Sequence, residues 1–221
     1  MNTLEVDSVN LAFGGRKILT DVYLKCETGD VVGLLGRNGS GKSSLMKIIF
    51  GTLRGESQSV RLNGQYVKQL FKSPNTVHYL PQDGFSMNYL TFNDLVRIFR
   101  LEPALDRIQD LEEISTNADR NIGQLSGGVK KLVEILTVLY TPGAFVLLDE
   151  PFSYLSPVLV EKVIPHIRHQ SQTKGIILTD HQYRNVMTVS NRRYVIADGA
   201  LKFVEDSADL EKYGYIVFKG E

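Results

Sequence analysis

The sequence predicts an α/β protein in which helices cover a mostly parallel sheet. Short apolar runs alternate with segments of helical periodicity along most of the 221-residue chain. Residues 31–35 (VVGLL) form a continuous apolar run, as in a strand that is buried on both faces. In the first thirty residues, apolar side chains instead recur mostly at every second position. We therefore expect an N-terminal antiparallel β-subdomain attached to the mostly parallel core.

Residues that form turns or end helices separate the predicted strands and helix in the first part of the chain. Paired glycines and a Thr-Gly-Asp turn separate the antiparallel strands from each other and from the next strand. A helix is expected after Gly41, because the apolar side chains that follow share one face and Gly51 is a natural stop. Asn63–Gly64 predicts a tight turn. The other predicted strands of this part lie at 60–62 and 77–80.

A short helical lobe is predicted at residues 86–125, inserted into a single domain whose core comprises residues 1–85 and 126–221. Thr91 is expected to cap its first helix, with Asp94 as the reciprocal partner. Pro103 is expected to open a second helical stretch. The predicted buried side of the first helix consists of Leu95, Ile98 and Phe99.

After the lobe, the alternation of helices and strands resumes. A helix is expected at 128–140, a buried strand at 145–149, and a second helix after Ser156–Pro157. One more strand follows at 175–179, and Asp198–Gly199 predicts the turn of a final hairpin. This order completes an open sheet with helices between its strands.

Composition excludes several classes of protein. Lys and Arg together equal Asp and Glu at 25 each, so the balance argues against a nucleic-acid-binding protein. The single cysteine, Cys26, cannot form an internal disulfide, and no Cys/His cluster suits zinc, which favours a reducing, cytoplasmic setting. The longest apolar runs fall far short of the roughly 18 residues that a membrane span needs, so no direct membrane insertion is expected.

The strongest chemical signal is residues 36–43, which match the phosphate-binding pattern G-x-x-x-x-G-K-[ST] between a buried strand and a helix. Its glycines let backbone amides surround phosphates, and the helix adds its positive N-terminal end. Lys42 is expected to reach the β- and γ-phosphates of ATP, and the Ser43 hydroxyl to bind Mg²⁺. The predicted core is therefore of the P-loop NTPase type. The predicted nucleotide-binding residues of this segment are Gly36, Asn38, Gly39, Ser40, Gly41, Lys42, Ser43 and Ser44.

A buried strand that ends in two acids gives the second signal, at residues 145–150 (FVLLDE). An ionised carboxylate is costly to bury without a partner, and Mg²⁺ is the partner expected for Asp149. Glu150 follows the strand end, where it is placed to orient or deprotonate an attacking water.

Residues 125–128 read LSGG, in which Ser126 is a natural helix cap. The phosphate loop, LSGG and LLDEP, in this order, are typical of ABC ATPases. Over essentially its whole length the chain resembles the ATP-binding subunit of an ABC transporter. The stretches DEPFS and LTDH make it most similar to the compact ATPases of lipopolysaccharide export and branched-chain amino-acid uptake.

The resemblance implies further site residues. Gln82 matches the glutamine that senses Mg²⁺ and the γ-phosphate, and His181 matches the histidine that contacts the γ-phosphate and the attacking water. Phe13 occupies the position of an aromatic residue that stacks on adenine. The plainer alternatives are a polar loop residue for Gln82 and His181, and a core residue for Phe13. Ser126, Gly127 and Gly128 are expected to meet the ATP held by a second copy.

The sequence also departs from the family pattern at three points. Val129 replaces the usual glutamine after LSGG, and Ser156 stands where the family has an aspartate at the dimer seam. The lobe is shorter than usual. None of these departures touches Lys42, Asp149 or Glu150, so hydrolysis is expected to survive.

The resemblance predicts an ATPase that drives transmembrane permease subunits on separate chains. Two copies would close as a homodimer around two ATP molecules with Mg²⁺, attached peripherally to the inner face of the cell membrane. The permease would dock near residues 82–95. Two alternatives stay open: a soluble ABC ATPase that serves no transporter, and a regulatory module that binds ATP but barely hydrolyses it.

Overall fold

A computed structural model describes residues 1–85 and 87–216. Residue 86, in the predicted lobe, and residues 217–221, in the predicted core, lie outside the described residues. Within these ranges the strands are β1 (Thr3–Phe13), β2 (Arg16–Glu27), β3 (Val31–Gly36), β4 (Ser57–Leu62), β5 (Gln65–Tyr66), β6 (Val77–Leu80), β7 (Phe145–Asp149), β8 (Gly175–Thr179), β9 (Arg192–Ala197) and β10 (Ala200–Phe203). The helices are α1 (Lys42–Phe50), α2 (Phe92–Phe99), α3 (Leu105–Gln109), α4 (Glu112–Ser115), α5 (Gly127–Tyr140), α6 (Pro157–Ser171), α7 (Tyr183–Val189) and α8 (Ser207–Lys212).

The strands form two sheets in the described part of the chain. The N-terminal sheet has the order β2-β1-β4-β5 and is antiparallel, as predicted. The larger sheet has the order β10-β9-β3-β8-β7-β6, and its strands are parallel except for the β9–β10 hairpin. The α/β fold class is therefore confirmed, and so are the turns at Asn63–Gly64 and Asp198–Gly199.

Helices bury both faces of the larger sheet. On one face, α1 packs between this sheet and the N-terminal sheet. Side chains of the larger sheet such as Leu34, Leu147 and Ile177 form one hydrophobic cluster with them. On the other face, Leu35, Leu148 and Leu178 pack with side chains of α5, α6 and α7. The carboxyl ends of β3, β7 and β8 thus lie side by side at one edge, where open α/β sheets place their ligands.

The lobe segment differs from its prediction in two details. The Thr91–Asp94 capping box is present, but α2 buries Phe92, Leu95 and Val96, and Ile98 is 57% exposed. The placement of Ile98 on the buried side is therefore wrong. The second helical stretch is not continuous, since a 3₁₀ turn at Glu102–Ala104 leads into the short helices α3 and α4.

The buried side chain of Lys174 caps the carboxyl end of α5. Its ammonium donates to the carbonyl oxygens of Leu139 and Thr141, the latter at 2.8 Å, and burial lowers its pKa to about 8. These carbonyls have no following helical turn to bond to, so the lysine satisfies groups that α5 leaves open.

We expect Lys174→Met to lower the free energy of unfolding by about 1–3 kcal/mol, because it leaves two buried carbonyl groups without a donor. Urea unfolding measures this change. Lys202→Met, on an exposed position of β10, is the matched control and should stay within about 0.5 kcal/mol of the wild type. Equal stability of the two variants would show that the Lys174 contacts contribute nothing.

Candidate functional site

The glycine-rich loop links β3 to α1 as predicted. β3 is buried throughout, and α1 begins at Lys42 directly after the loop. A Cβ atom added to Gly41 would lie 2.8 Å from Ile18, and Gly41 has a φ of 103° that favours glycine. A Cβ on Gly36 would lie 2.5 Å from the Ser40 hydroxyl. The loop can therefore take this closed path only with glycine at these points.

Lys42 projects back over this loop. Its side chain is buried, and Nζ donates to the carbonyl oxygens of Gly36 at 2.8 Å and Arg37 at 3.3 Å. Burial lowers its pKa, and the nearby Glu150 and Asp149 carboxylates oppose that change. Two backbone carbonyls of the loop thus hold the ammonium group over the loop, where its charge suits phosphate oxygens.

The Asp149 carboxylate lies at the end of β7 and is 1% exposed. Ser43 Oγ donates to its Oδ1 at 3.1 Å, and the Tyr79 hydroxyl donates to its Oδ2 at 3.0 Å. Desolvation raises the pKa of Asp149, while these two hydrogen bonds lower it. The structure therefore joins two of the predicted metal ligands, Ser43 and Asp149. Tyr79 was missed by the sequence reasoning.

Glu150 is the centre of a second polar group. Its backbone is in the left-handed region, with a φ of 51°. Residues other than glycine rarely adopt this conformation, and those that do are often found at functional sites. Its Oε2 accepts from Gln82 Nε2 at 3.0 Å and from Ser153 Oγ at 3.2 Å, and lies 3.6 Å from His181 Nδ1. The structure thus brings Glu150, Gln82 and His181 together. Gln82, also predicted as a metal ligand, bonds here to Glu150.

Three further charged residues brace this group, and the sequence reasoning missed them. Asp180 is fully buried, accepts from the backbone amides of Phe152 and Gln182, and so ties the turn after β7 to the end of β8. On α5, buried Lys131 donates to the Gln82 carbonyl at 3.0 Å, and buried Glu134 accepts from the Phe85 amide at 3.3 Å. The sequence signal that could have found Lys131 and Glu134 is that two charged residues lie among the apolar residues of α5.

An open cleft of about 840 Å³ is lined by Lys42, Gln82, Glu150 and His181. Phe13, at the end of β1, is 53% exposed and lines the cleft, so it is not a core residue. The predicted site residues that line the cleft are Phe13, Asn38, Gly39, Gly41, Lys42, Ser43, Ser44, Gln82, Glu150 and His181. The predicted residues Gly36, Ser40 and Asp149 do not line it. Gly36 and Asp149 are hydrogen-bonded to the lining residues Lys42 and Ser43, and Ser40 lines a neighbouring cavity.

The LSGG residues do not line this cleft. Ser126 caps α5, accepting from the Val129 amide at 3.4 Å, which confirms the predicted cap. Gly127 borders a separate hollow beside Gln82 and Tyr154. Ser156 likewise caps α6, so the helix start is kept although the family's carboxylate is absent.

Comparison with known proteins decides the family. The profile of the ABC transporter family matches residues 19–153, more than half of the chain. The chain belongs to the ABC transporter family. As in that family, it is an ATP-binding subunit with ATPase activity, the component that powers a transporter's permease.

Individual ABC relatives match most of the chain. The lipopolysaccharide export system ATP-binding protein LptB of Haemophilus influenzae and that of Escherichia coli are each 30% identical over 217 residues, 91% of this chain and 89% of theirs. A probable ABC transporter ATP-binding protein of Azorhizobium caulinodans is 31% identical over 86% of this chain and 72% of its own. The solved ATP-binding subunit of an ABC transporter superposes with a TM-score of 0.82 at 21% identity, covering 96% of this chain and 93% of its own.

Proposed function

We propose that the cleft binds ATP with Mg²⁺ and that Glu150 activates the water that attacks the γ-phosphate. The observation that carries this proposal is the meeting of Glu150, Gln82 and His181 beside the loop that holds Lys42. In this arrangement Lys42 binds the β- and γ-phosphates, and Phe13 stacks on the base. Gln82 and His181 orient the carboxylate and the water, since both already contact Glu150.

The donor set suits a magnesium ion. Ser43 and Asp149 offer a hydroxyl and a carboxylate oxygen, and Mg²⁺ binds through one or two carboxylates together with phosphate oxygens. When bound there, Mg²⁺ supplies positive charge to the phosphates. Asp149 would hold it, with Ser43 and Gln82 as the further ligands, and Glu150 stays free to take the proton of the water.

We further propose that two copies close head to tail around two ATP molecules. Ser126, Gly127 and Gly128 lie outside the cleft of their own chain, which supports their use at the cleft of a partner copy. The amino end of α5 there carries open amides and a positive dipole that suit a γ-phosphate. The predicted lobe, residues 86–125, would move with this helix relative to the core.

A groove beside β6 supports docking of a permease. It has a volume of about 370 Å³ and lies between the core and α2. Its apolar lining consists of Phe50, Phe71, Val77, Tyr79, Phe85, Met87, Phe99 and Val138. Of these residues, Phe85 and Met87 belong to the predicted docking region, and both also pack partly against the core.

In the two described ranges, none of the helices is both long and apolar enough to cross a membrane. Because the relatives are ATP-binding components of transport systems, we propose that the membrane-spanning part is supplied by separate permease subunits, whose cytoplasmic segments fill this groove. The chain would then be held peripherally at the inner face of the cell membrane.

We expect Phe71→Glu to abolish co-purification with permease subunits from detergent-solubilised membranes. Phe71 lines the groove and is 39% exposed, so a charge there blocks an apolar partner without opening the core. Phe203→Glu, at a 55% exposed position outside the groove, is the matched control and should keep the partner. If Phe71→Glu retains wild-type yield of the membrane partner, the docking site lies elsewhere.

A further inference from the structure

Tyr79 belongs to both the groove and the nucleotide site. In β6 it pairs with Leu147 of the parallel strand β7, so its side chain points to the same face as Asp149, two residues further along β7. Its hydroxyl donates to Asp149 Oδ2 at 3.0 Å, while its ring lines the groove. The Tyr79 side chain therefore connects the groove to the Asp149 carboxylate.

The hydroxyl contact restricts the Asp149 carboxylate. Ser43 donates to one carboxylate oxygen and Tyr79 to the other, so both oxygens have a fixed direction. A hydrogen bond from a neighbour that is not itself a ligand orients a metal-binding side chain, and its removal typically weakens metal binding about ten- to a hundredfold. Tyr79 has the position and the donor group for this role.

The ring contact restricts Tyr79 in turn. It packs against Phe50, the last residue of α1, with 5.3 Å between ring centroids, and Phe50 packs against Phe71 at 5.7 Å. All three rings line the groove. Whatever fills the groove must therefore pack against the same rings that fix the Tyr79 hydroxyl.

We propose that Tyr79 is a positioning residue that orients Asp149 for a divalent cation and makes cation binding depend on packing in the groove. This inference rests on the proposed function, because it takes Asp149 as a metal ligand. It adds a direct connection between the partner surface and the cation, through one hydroxyl and one ring.

The test compares ADP affinity with EDTA and with saturating Mn²⁺, measured by isothermal titration calorimetry. Tyr79→Phe should leave the affinity in EDTA unchanged and weaken the affinity with Mn²⁺ about tenfold. Tyr23→Phe is a matched control, since its hydroxyl also donates to a carboxylate, that of Glu5, at 3.0 Å, and neither residue lines the cleft. The control should match the wild type in both titrations.

Phe50→Leu tests the groove side of the inference. It should weaken Mn²⁺-dependent ADP binding about threefold in the wild type and leave it unchanged in the Tyr79→Phe background, because contacting residues couple through their shared contact. An equal effect in both backgrounds overturns the connection to the groove. Wild-type affinity of Tyr79→Phe with Mn²⁺ overturns the positioning role. If the wild type itself gains no affinity from Mn²⁺, the proposed cation site fails instead.

Discussion

Glu150→Gln should lower the steady-state rate of ATP hydrolysis by about a hundred- to ten-thousandfold, the usual contribution of a general base. The amide keeps the size of the side chain and still offers an oxygen to Gln82 and Ser153, so the polar group around it should persist. It has no basic oxygen to take a proton from water. ATP affinity should therefore stay close to that of the wild type.

Release of phosphate measures the rate, and equilibrium titration with ATP measures the affinity. Glu161→Gln, on an exposed position of α6, is the matched control and should hydrolyse ATP normally. A Glu150→Gln variant as fast as the wild type would mean that another group activates the water. Loss of ATP binding in the same variant would assign Glu150 a structural role.

Lys42→Ala should weaken ATP binding itself by about ten- to a hundredfold. The reason is the loss of charge-assisted hydrogen bonds to the phosphates, each of which contributes about 1.5–3 kcal/mol. It also removes the donor that now bridges the Gly36 and Arg37 carbonyl oxygens across the loop. Turnover at ATP concentrations near the wild-type affinity should fall with it.

Lys47→Ala provides the comparison, because Lys47 lies on the same helix but is exposed and does not line the cleft. Its ATP affinity should equal that of the wild type. Wild-type affinity of Lys42→Ala would show that the loop binds phosphate through its backbone amides alone.

The sequence predicted those parts of the fold whose signals are local. The buried run of β3, the glycine turns and the Thr91 and Ser126 caps depend on a few neighbouring residues, and the structure contains each of them. Ile98 shows the limit of periodicity. A spacing of three or four from Leu95 defines a face, but tertiary packing decides which edge of that face is covered, and here it covers Phe92 and Val96.

The candidate site divides in the same way. The phosphate loop and the acidic end of β7 were visible as motifs. The structure places Lys42, Ser43 and Glu150 on one cleft and joins Asp149 to Ser43 by a hydrogen bond. Tyr79, Asp180 and Lys131 were not visible, because each acts through a residue distant in the chain. Tyr79 reaches Asp149 because β6 and β7 are neighbouring strands. Lys131 reaches Gln82 because α5 packs beside β6.

We propose that ATP closes two copies of this chain and that hydrolysis reopens them. Light scattering of the Glu150→Gln variant on a size-exclusion column tests it most directly. With ATP and Mg²⁺, the account predicts twice the 24.8 kDa chain mass, and with ADP it predicts the mass of one chain. A mass of one chain under both conditions, with ATP bound, would contradict the account.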